Sequence, residues 1–187
     1  MRIIAGAARG RRITVPSVPG VRATLDRVRE ALFSMLHGMV CDGAVLDLFA
    51  GSGSLGIEAI SRGARHAVFV DSQRKCLDTI AENLLICGFE QHATLVQGVI
   101  PECFSDLEKK YKGRYDIVFI DPPYRATFDL GMLEDLSRFS LLQEDAKIII
   151  EHDRRKEPGC ASSLFQVDKR RVYGDVALTL LTFAPKR

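Results

Sequence analysis

Short apolar runs alternate with amphipathic stretches along most of this 187-residue chain. Residues 2–5 and 11–15 read as two β-like pieces around a turn rich in glycine and arginine (Gly6, Arg9, Gly10, Arg11, Arg12). A Pro/Gly loop follows from Pro16 to Gly20. Val28, Leu32, Met35 and Leu36 recur at i, i+4, i+7 and i+8, which is one face of a helix from Leu25 to about His37, with Thr24 as N-cap and Gly38 as its stop. Beyond Cys41 the apolar runs are Ala44–Ala50, His66–Val70, Ala93–Gln97, Tyr115–Ile120 and Lys147–Glu151. Helices fill the intervals, ending at Arg62, Cys87 and Lys110 and then running from near Asp129 to Phe139; Gly63 and Gly88 stand where C-caps belong. Strands that are apolar nearly throughout and spaced by helices predict a parallel sheet covered on both faces. The last two runs, Leu164–Val172 and Ala177–Phe183, have only the turn Tyr173-Gly174-Asp175 between them and predict an antiparallel hairpin edge. The expected architecture is α/β and Rossmann-like, a mostly parallel seven-stranded sheet with a short N-terminal β/α extension.

Composition narrows the class. A 47% hydrophobic chain without tryptophan suits one soluble domain with a sizeable core. No apolar run approaches the roughly 18 residues that cross a bilayer, and the start lacks a signal-peptide stretch, so a cytoplasmic protein is expected. Cys41, Cys76, Cys87, Cys103 and Cys160 are scattered and odd in number, against a disulfide framework and against a metal site. The net charge of +2 hides a segregation. Residues 1–40 carry seven Lys or Arg against two acids, residues 41–151 eleven against eighteen, and residues 152–187 eight against four. We therefore divide the chain into a basic extension, residues 1–40, and a main domain, residues 41–187.

The first parallel strand runs into Asp47-Leu48-Phe49-Ala50-Gly51-Ser52-Gly53-Ser54-Leu55-Gly56, with Gly51, Gly53 and Gly56 at GxGxxG spacing. Glycines there permit a tight turn and a close ligand approach. The next strand ends at Asp71, whose carboxylate can accept both ribose hydroxyls. Together they indicate an adenosine-containing cofactor. Asp47 separates the candidates: a nicotinamide fingerprint has an apolar residue within that strand, because an unpaired buried carboxylate is costly. The methionine end of S-adenosylmethionine offers Asp47 an ammonium group, and the segment resembles motif I of class I methyltransferases. The competing role for Asp47 is a pairing with a neighbouring arginine.

At the end of the fourth strand stands Asp121-Pro122-Pro123-Tyr124, in a loop that should border the cofactor. It resembles motif IV of methyltransferases acting on exocyclic amino groups or amide nitrogens. The chemistry accounts for the residue types. An amino group on a purine is a poor nucleophile because its lone pair is delocalised; the Asp121 carboxylate and Pro122 carbonyl can each accept one of its N–H bonds and aim the pair. Tyr124 can stack on the base. Asp121, Pro122 and Tyr124 are the candidate catalytic residues.

Arg2-Ile3-Ile4-Ala5-Gly6, Arg9-Gly10-Arg11-Arg12, Thr24 to Phe33, Asp47 to Glu58, Asp121 to Tyr124, Glu151-His152 and Tyr173-Gly174 agree in order with the bacterial 16S ribosomal RNA (guanine-N2)-methyltransferase D family, which this chain resembles along nearly its whole length. The resemblance implies methyl transfer from S-adenosylmethionine to the N2 amine of one guanine in 16S rRNA and favours an assembled or assembling small ribosomal subunit; a monomer with no metal is expected. It assigns Asp47, Phe49, Ala50, Gly51, Ser52, Gly53, Asp71, Gly98, Val99 and Asp121 to the cofactor. Two departures stand out: the family's Arg-Pro-Thr reads Arg22-Ala23-Thr24, losing a rigid φ, and Gln97-Gly98-Val99 occupies the place of a polar adenine ligand. Arg9, Arg11, Arg12, Arg22, Arg27, Arg29 and Arg125 are candidate phosphate contacts. Arg29 and Glu30 have a second reading, as braces of the helix over the cofactor. The rival functions are a DNA adenine-N6 methyltransferase, a nicotinamide-dependent oxidoreductase, and a nucleic-acid-binding module that has lost catalysis.

Overall fold

The computed structural model describes residues 1–19, 25–111, 114–122, 131–156 and 163–185. Its elements are α1 (Asp26–Met35), β1 (Ala44–Leu48), α2 (Ser54–Ser61), β2 (His66–Asp71), α3 (Arg74–Cys87), β3 (Ala93–Gln97), α4 (Phe104–Tyr111), β4 (Tyr115–Ile120), α5 (Gly131–Arg138), β5 (Leu142–Asp153), β6 (Phe165–Tyr173) and β7 (Val176–Phe183). The seven strands form one sheet in the order β3-β2-β1-β4-β5-β7-β6. β1 to β5 are parallel, and β7 pairs antiparallel with both β5 and β6. The order reverses between β1 and β4, the position at which open α/β sheets bind ligands beyond the carboxyl ends of their strands.

Alternation along the strands supplies both faces. Val45, Phe69, Ile117, Phe119, Ile149, Leu178 and Leu180 belong to a core with α1, α2, α3 and the N-terminal residues Ile3, Ala8 and Ile13. Leu46, Leu48, Val70, Val118, Ile120, Ile148 and Ile150 point the other way, onto Phe104 and Leu107 of α4 and Met132, Leu133 and Leu136 of α5. Within the described residues no helix is long and apolar enough to cross a membrane.

The N-terminal segment is a small hairpin with one bridge, Arg2 to Arg12, tied by Ile3 N–H to the Arg11 carbonyl at 3.0 Å. It is fastened to the main domain by side chains buried on α2 and α3. Glu58 accepts the Ile4 N–H at 2.7 Å and the Ala5 N–H at 3.0 Å, and also pairs with Arg62. Ser61 donates to the Ala5 carbonyl and accepts the Ala8 N–H. Gly6 is required at this joint: its φ is +82°, and a Cβ would lie 1.7 Å from the Ser61 carbonyl oxygen. Asn83 takes the Thr14 N–H at 2.7 Å and donates to the carbonyls of Thr14 and Ser52, both at 2.9 Å.

Boundaries shift for local reasons. The first strand stops at Leu48, short of the expected Ala50, because Phe49 turns to φ +58°. The fifth begins at Leu142, five residues before the expected start; its pairing with β4 slips between Tyr115 and Ile117, and Asp145 sits at φ +62°. Leu25 stands at the N-cap of α1 without a side-chain bond, while Thr24 lies outside the described residues.

Asn83 provides a test of how the extension is held. Asn83→Ala leaves the Thr14 amide and two carbonyls without their partner, so we expect a loss of about 2 kcal/mol or more of unfolding free energy by urea titration. A change of a few tenths would show that the segment is held otherwise.

Candidate active site

Parallel register brings the candidate residues together. Asp47 lies beside Phe69 of β2 and Phe119 of β4, on the face that carries α1 to α3. Asp71 ends β2 two residues beyond Phe69, and Asp121 follows Ile120 at the end of β4, so alternation places all three acids on that face.

The turn after β1 is built by backbone conformations that side chains resist. Phe49, Gly51 and Gly53 have φ of +58°, +55° and +73°. Gly56 has a steric requirement instead: a Cβ there would come within 2.3 Å of the Phe69 ring and 3.1 Å of Asp47 Oδ2. The close approach allows the Gly56 N–H to donate to Asp47 Oδ2 at 2.9 Å. Asp71 fixes the other side of the loop, accepting the Gly51 N–H on Oδ2 and the Gln73 N–H on Oδ1, both at 2.9 Å. The carboxylate, which Cys76 also hydrogen-bonds, keeps lone-pair capacity for a ligand hydroxyl. The Gly98 N–H bonds the Asp71 carbonyl at 3.1 Å, which sets the next residue, the exposed Val99, beside this corner. Phe49 packs its ring against the opposite core, on the α4 and α5 side, leaving its backbone to the turn. Ala50 donates its N–H to the Val70 carbonyl, and the buried Ser52 offers its carbonyl to Asn83.

The site is electrostatically unbalanced. Burial, in spite of the Gly56 bond, raises the Asp47 carboxyl well above the usual carboxylate range, and Asp121 and Asp71 push it further up. The same position would be relieved by a cationic ligand. Glu151, the residue after Ile150, is likewise raised, to about 8, by burial and by Asp121. Cys76, burdened by burial and by the neighbouring Asp71, has its thiol pushed up to about 11.

Sequence comparison places the fold and these residues in a family. A family model described as "Conserved hypothetical protein 95" matches residues 1–182. The ribosomal RNA small subunit methyltransferase D of Escherichia coli (strain K12) is 36% identical over 188 residues, covering 96% of this chain and 88% of that protein. The chain belongs to the ribosomal RNA small subunit methyltransferase D family. A second member, from Haemophilus influenzae, is 35% identical over 160 residues, 83% of this chain and 80% of that one. The solved structure of yhhF from Escherichia coli superposes with a TM-score of 0.85 at 33% identity, covering 100% of this chain and 99% of the other.

Within this family member the predicted residues separate. Asp47, Gly51, Gly53, Asp71, Gly98 and Val99 meet around the turn after β1, while Asp121 and Pro122 leave the adjacent strand β4. Tyr124, Arg22 and Arg125 lie outside the described residues. Arg9, Arg11, Arg12 and Arg27 are exposed, although Arg11 also donates to the Ile86 carbonyl. Arg29 departs from the expected phosphate contact: it is 0% exposed and its Nη2 donates to the Arg2 carbonyl and to Asp26. It therefore ties α1 to the N-terminal hairpin, and a buried guanidinium has no surface to offer RNA. His152, which we did not assign to the site, spends its ring on Thr179 Oγ1 and the Asp153 carbonyl.

Sequence reasoning missed Glu58, Asn83 and Glu151. Glu58 had a signal, being one charge inside the apolar helix Ser54–Ser61, every residue of which is buried. Glu151 had another: like Asp71 and Asp121 it closes an apolar strand.

Asp47 gives a pH test. A carboxyl raised in the folded state is protonated there while ionised in the unfolded chain, so its contribution to stability is lost as pH rises from about 4. Ligand-free Asp47→Asn should gain on the parent protein in urea midpoint between pH 4.5 and pH 7.5; a constant difference would mean that Asp47 is ionised in the fold.

Proposed function

We propose that the protein transfers the methyl group of S-adenosylmethionine to the N2 amine of a guanine in small-subunit ribosomal RNA. The observation that carries this reading is the meeting of the Asp121-Pro122 segment with Asp47 and the glycine turn at the reversal point of the sheet. Family membership supports the RNA substrate, and the tetrapeptide's resemblance to amine-methylating enzymes supports the acceptor atom. The buried, cation-poor Asp47 fits an ammonium group, Asp71 retains lone pairs for ribose hydroxyls, and Gly98 with the exposed Val99 fits a planar base. When bound, S-adenosylmethionine supplies an electrophilic sulfonium methyl. Phe49, Ala50, Gly51, Ser52 and Gly53 shape the turn around it.

The work left to the protein is aiming. Asp121 and the Pro122 carbonyl each accept one N–H of the acceptor amine, directing its lone pair, and Asp121 takes the proton that becomes acidic once the nitrogen is methylated. Tyr124 stacks on the base and fixes its plane.

Arg27 of α1 and the C-terminal hairpin meet beyond the end of β5. The β6–β7 turn lies beside the end of β5, since Tyr173 pairs with Val176 and Val176 with Asp153. The Arg27 guanidinium of α1 sits 5.9 Å from the centre of the Tyr173 ring. Exposed Arg154, Arg155 and Lys156 follow β5, and the Arg154 N–H holds the Asp175 carbonyl at 3.0 Å. We assign Arg9, Arg11, Arg12 and Arg27, with this group and with Arg22 and Arg125, to contacts with RNA phosphates. We take the substrate to be an assembled or assembling small subunit, met in the cytoplasm by a single copy of the chain. The extension of residues 1–40 acts as the RNA-facing part of the enzyme.

Labelled S-adenosylmethionine offered with small subunits lacking the mark, with naked 16S RNA and with DNA should yield N2-methylguanosine from RNA; N6-methyladenine from DNA would favour the rival enzyme instead. Asp121→Ala should cut the rate by about a hundredfold or more while leaving cofactor affinity within a few-fold. Equal loss of both would make Asp121 a cofactor ligand. Replacing Arg9, Arg12 and Arg27 together by Ala should weaken RNA binding and lower its logarithmic salt slope by about 2. An unchanged slope would remove them from the interface.

A further inference from the structure

Glu151 has no part in the mechanism so far, yet its surroundings are unusual. It follows Ile150, which pairs with Ile120, so Glu151 and Asp121 are consecutive in register on neighbouring parallel strands. Ile149 and Leu178, its neighbours in alternation and in register, belong to the core on the α1 to α3 side, so Glu151 shares the face of Asp47 and Asp121. Among the described residues its buried Oε2 has no hydrogen-bond partner. The charged group acting on it from β4 is Asp121, its register partner on β7 is the apolar Leu178, and the next imidazole, His152, is turned away to Thr179. A buried polar atom left without a partner costs free energy, which a bound ligand recovers.

We propose that Glu151 is a specificity-determining residue of the acceptor site, an uncharged carboxyl that hydrogen-bonds the ring edge of the guanine whose amine Asp121 and Pro122 hold. The inference rests on the acceptor reading above and extends it from the amine to the rest of the base. Next to the N2 amine, guanine presents N1–H, a donor, and then O6, an acceptor. A neutral carboxyl matches that order with its carbonyl and its hydroxyl. An ionised one would offer two acceptors, set a lone pair against O6, and place a second negative charge beside Asp121. Burial and Asp121, which raise Glu151 to about 8, keep it neutral at physiological pH.

The amide of Gln presents the same donor and acceptor and cannot ionise, so Glu151→Gln and Glu151→Ala separate the alternatives. The substrate is the unmethylated small subunit, and kcat and KM are measured from pH 6.5 to pH 9, with S-adenosylmethionine affinity by calorimetry. We expect Glu151→Ala to lose about tenfold to a hundredfold in kcat/KM for the subunit, and Glu151→Gln about threefold. The parent protein's kcat/KM should fall as pH rises through about 8, and that fall should be absent in Glu151→Gln. Stability gives a readout free of activity. The parent's advantage from a neutral Glu151 is lost as pH climbs from about 4.5 to about 8, so the Gln variant should gain on it over that window. The gain speaks to the neutral state alone.

Equal loss in Gln and Ala, or an alkaline fall that persists in Gln, would overturn the uncharged role. A rise in cofactor Kd matching the loss in kcat/KM would make Glu151 a cofactor ligand, and full activity in Ala would make it structural. Those outcomes overturn this inference while leaving the acceptor reading intact. Methylation of no RNA guanine by the parent protein would overturn the acceptor reading, and this inference with it.

Discussion

In a parallel sheet, residues at equal height on neighbouring strands point the same way, and here that rule collects carboxyl groups at one edge. Asp47 is in register with Phe69 and Phe119; Asp71 and Asp121 close those same two strands, and Glu151 follows Ile150, the partner of Ile120. No single strand explains the cluster. A slip of one residue in any pairing would turn its acid into the opposite core, among Leu46, Val70 and Ile148. The apolar runs that fix the register therefore also fix the spacing of the acids, and the sheet is both the scaffold and the ruler of the site.

Gathering acids in a dry place has a cost, and the structure shows how it is met. Asp71 is held by two backbone N–H groups, and Glu58 by two more and Arg62. Asp47 has the Gly56 N–H and Glu151 has one oxygen without a partner, so these two are driven towards their neutral forms. The difference divides the acids by role. Glu58, with its backbone donors and Arg62, holds the N-terminal segment; Asp71 holds the glycine turn and still has lone pairs to offer; Asp47 and Glu151, with incomplete sets, are the acids whose burial is least compensated. Arg29 follows the same logic in reverse, a cation drawn inside to join α1 to the N-terminal hairpin at Arg2.

Most of the architecture was legible in the sequence because it rests on periodicity. The nearly continuous apolar runs Val45–Leu48 and Tyr115–Ile120, set apart by helices, mark two central strands, and Gly63 and Gly88 stop their helices at positive φ as expected. The glycine turn and Asp71 were legible because a tight turn tolerates few residue types. What escaped was set by partners far along the chain. Nothing near Asn83 says that it joins Thr14 to Ser52, and nothing near Arg29 says that the Arg2 carbonyl awaits it inside. The early start of β5 escaped because Gln143, Glu144 and Asp145 are polar; Leu142 pairs with Tyr115, and the pairing with β4 resumes only at Lys147.

The long reach of those side chains bears on how the molecule comes into being. During synthesis the first segment emerges without anything to hold it: the Ile4 amide waits for Glu58, the Thr14 amide for Asn83, and Arg27 for Tyr173. The arginine-rich segment, made before its anchors, settles only after the helices that carry them have formed. A chain cut short before Asn83 would have only Glu58 and Ser61 to hold its arm, while one that has passed it can tie Thr14 and the glycine turn together with one side chain.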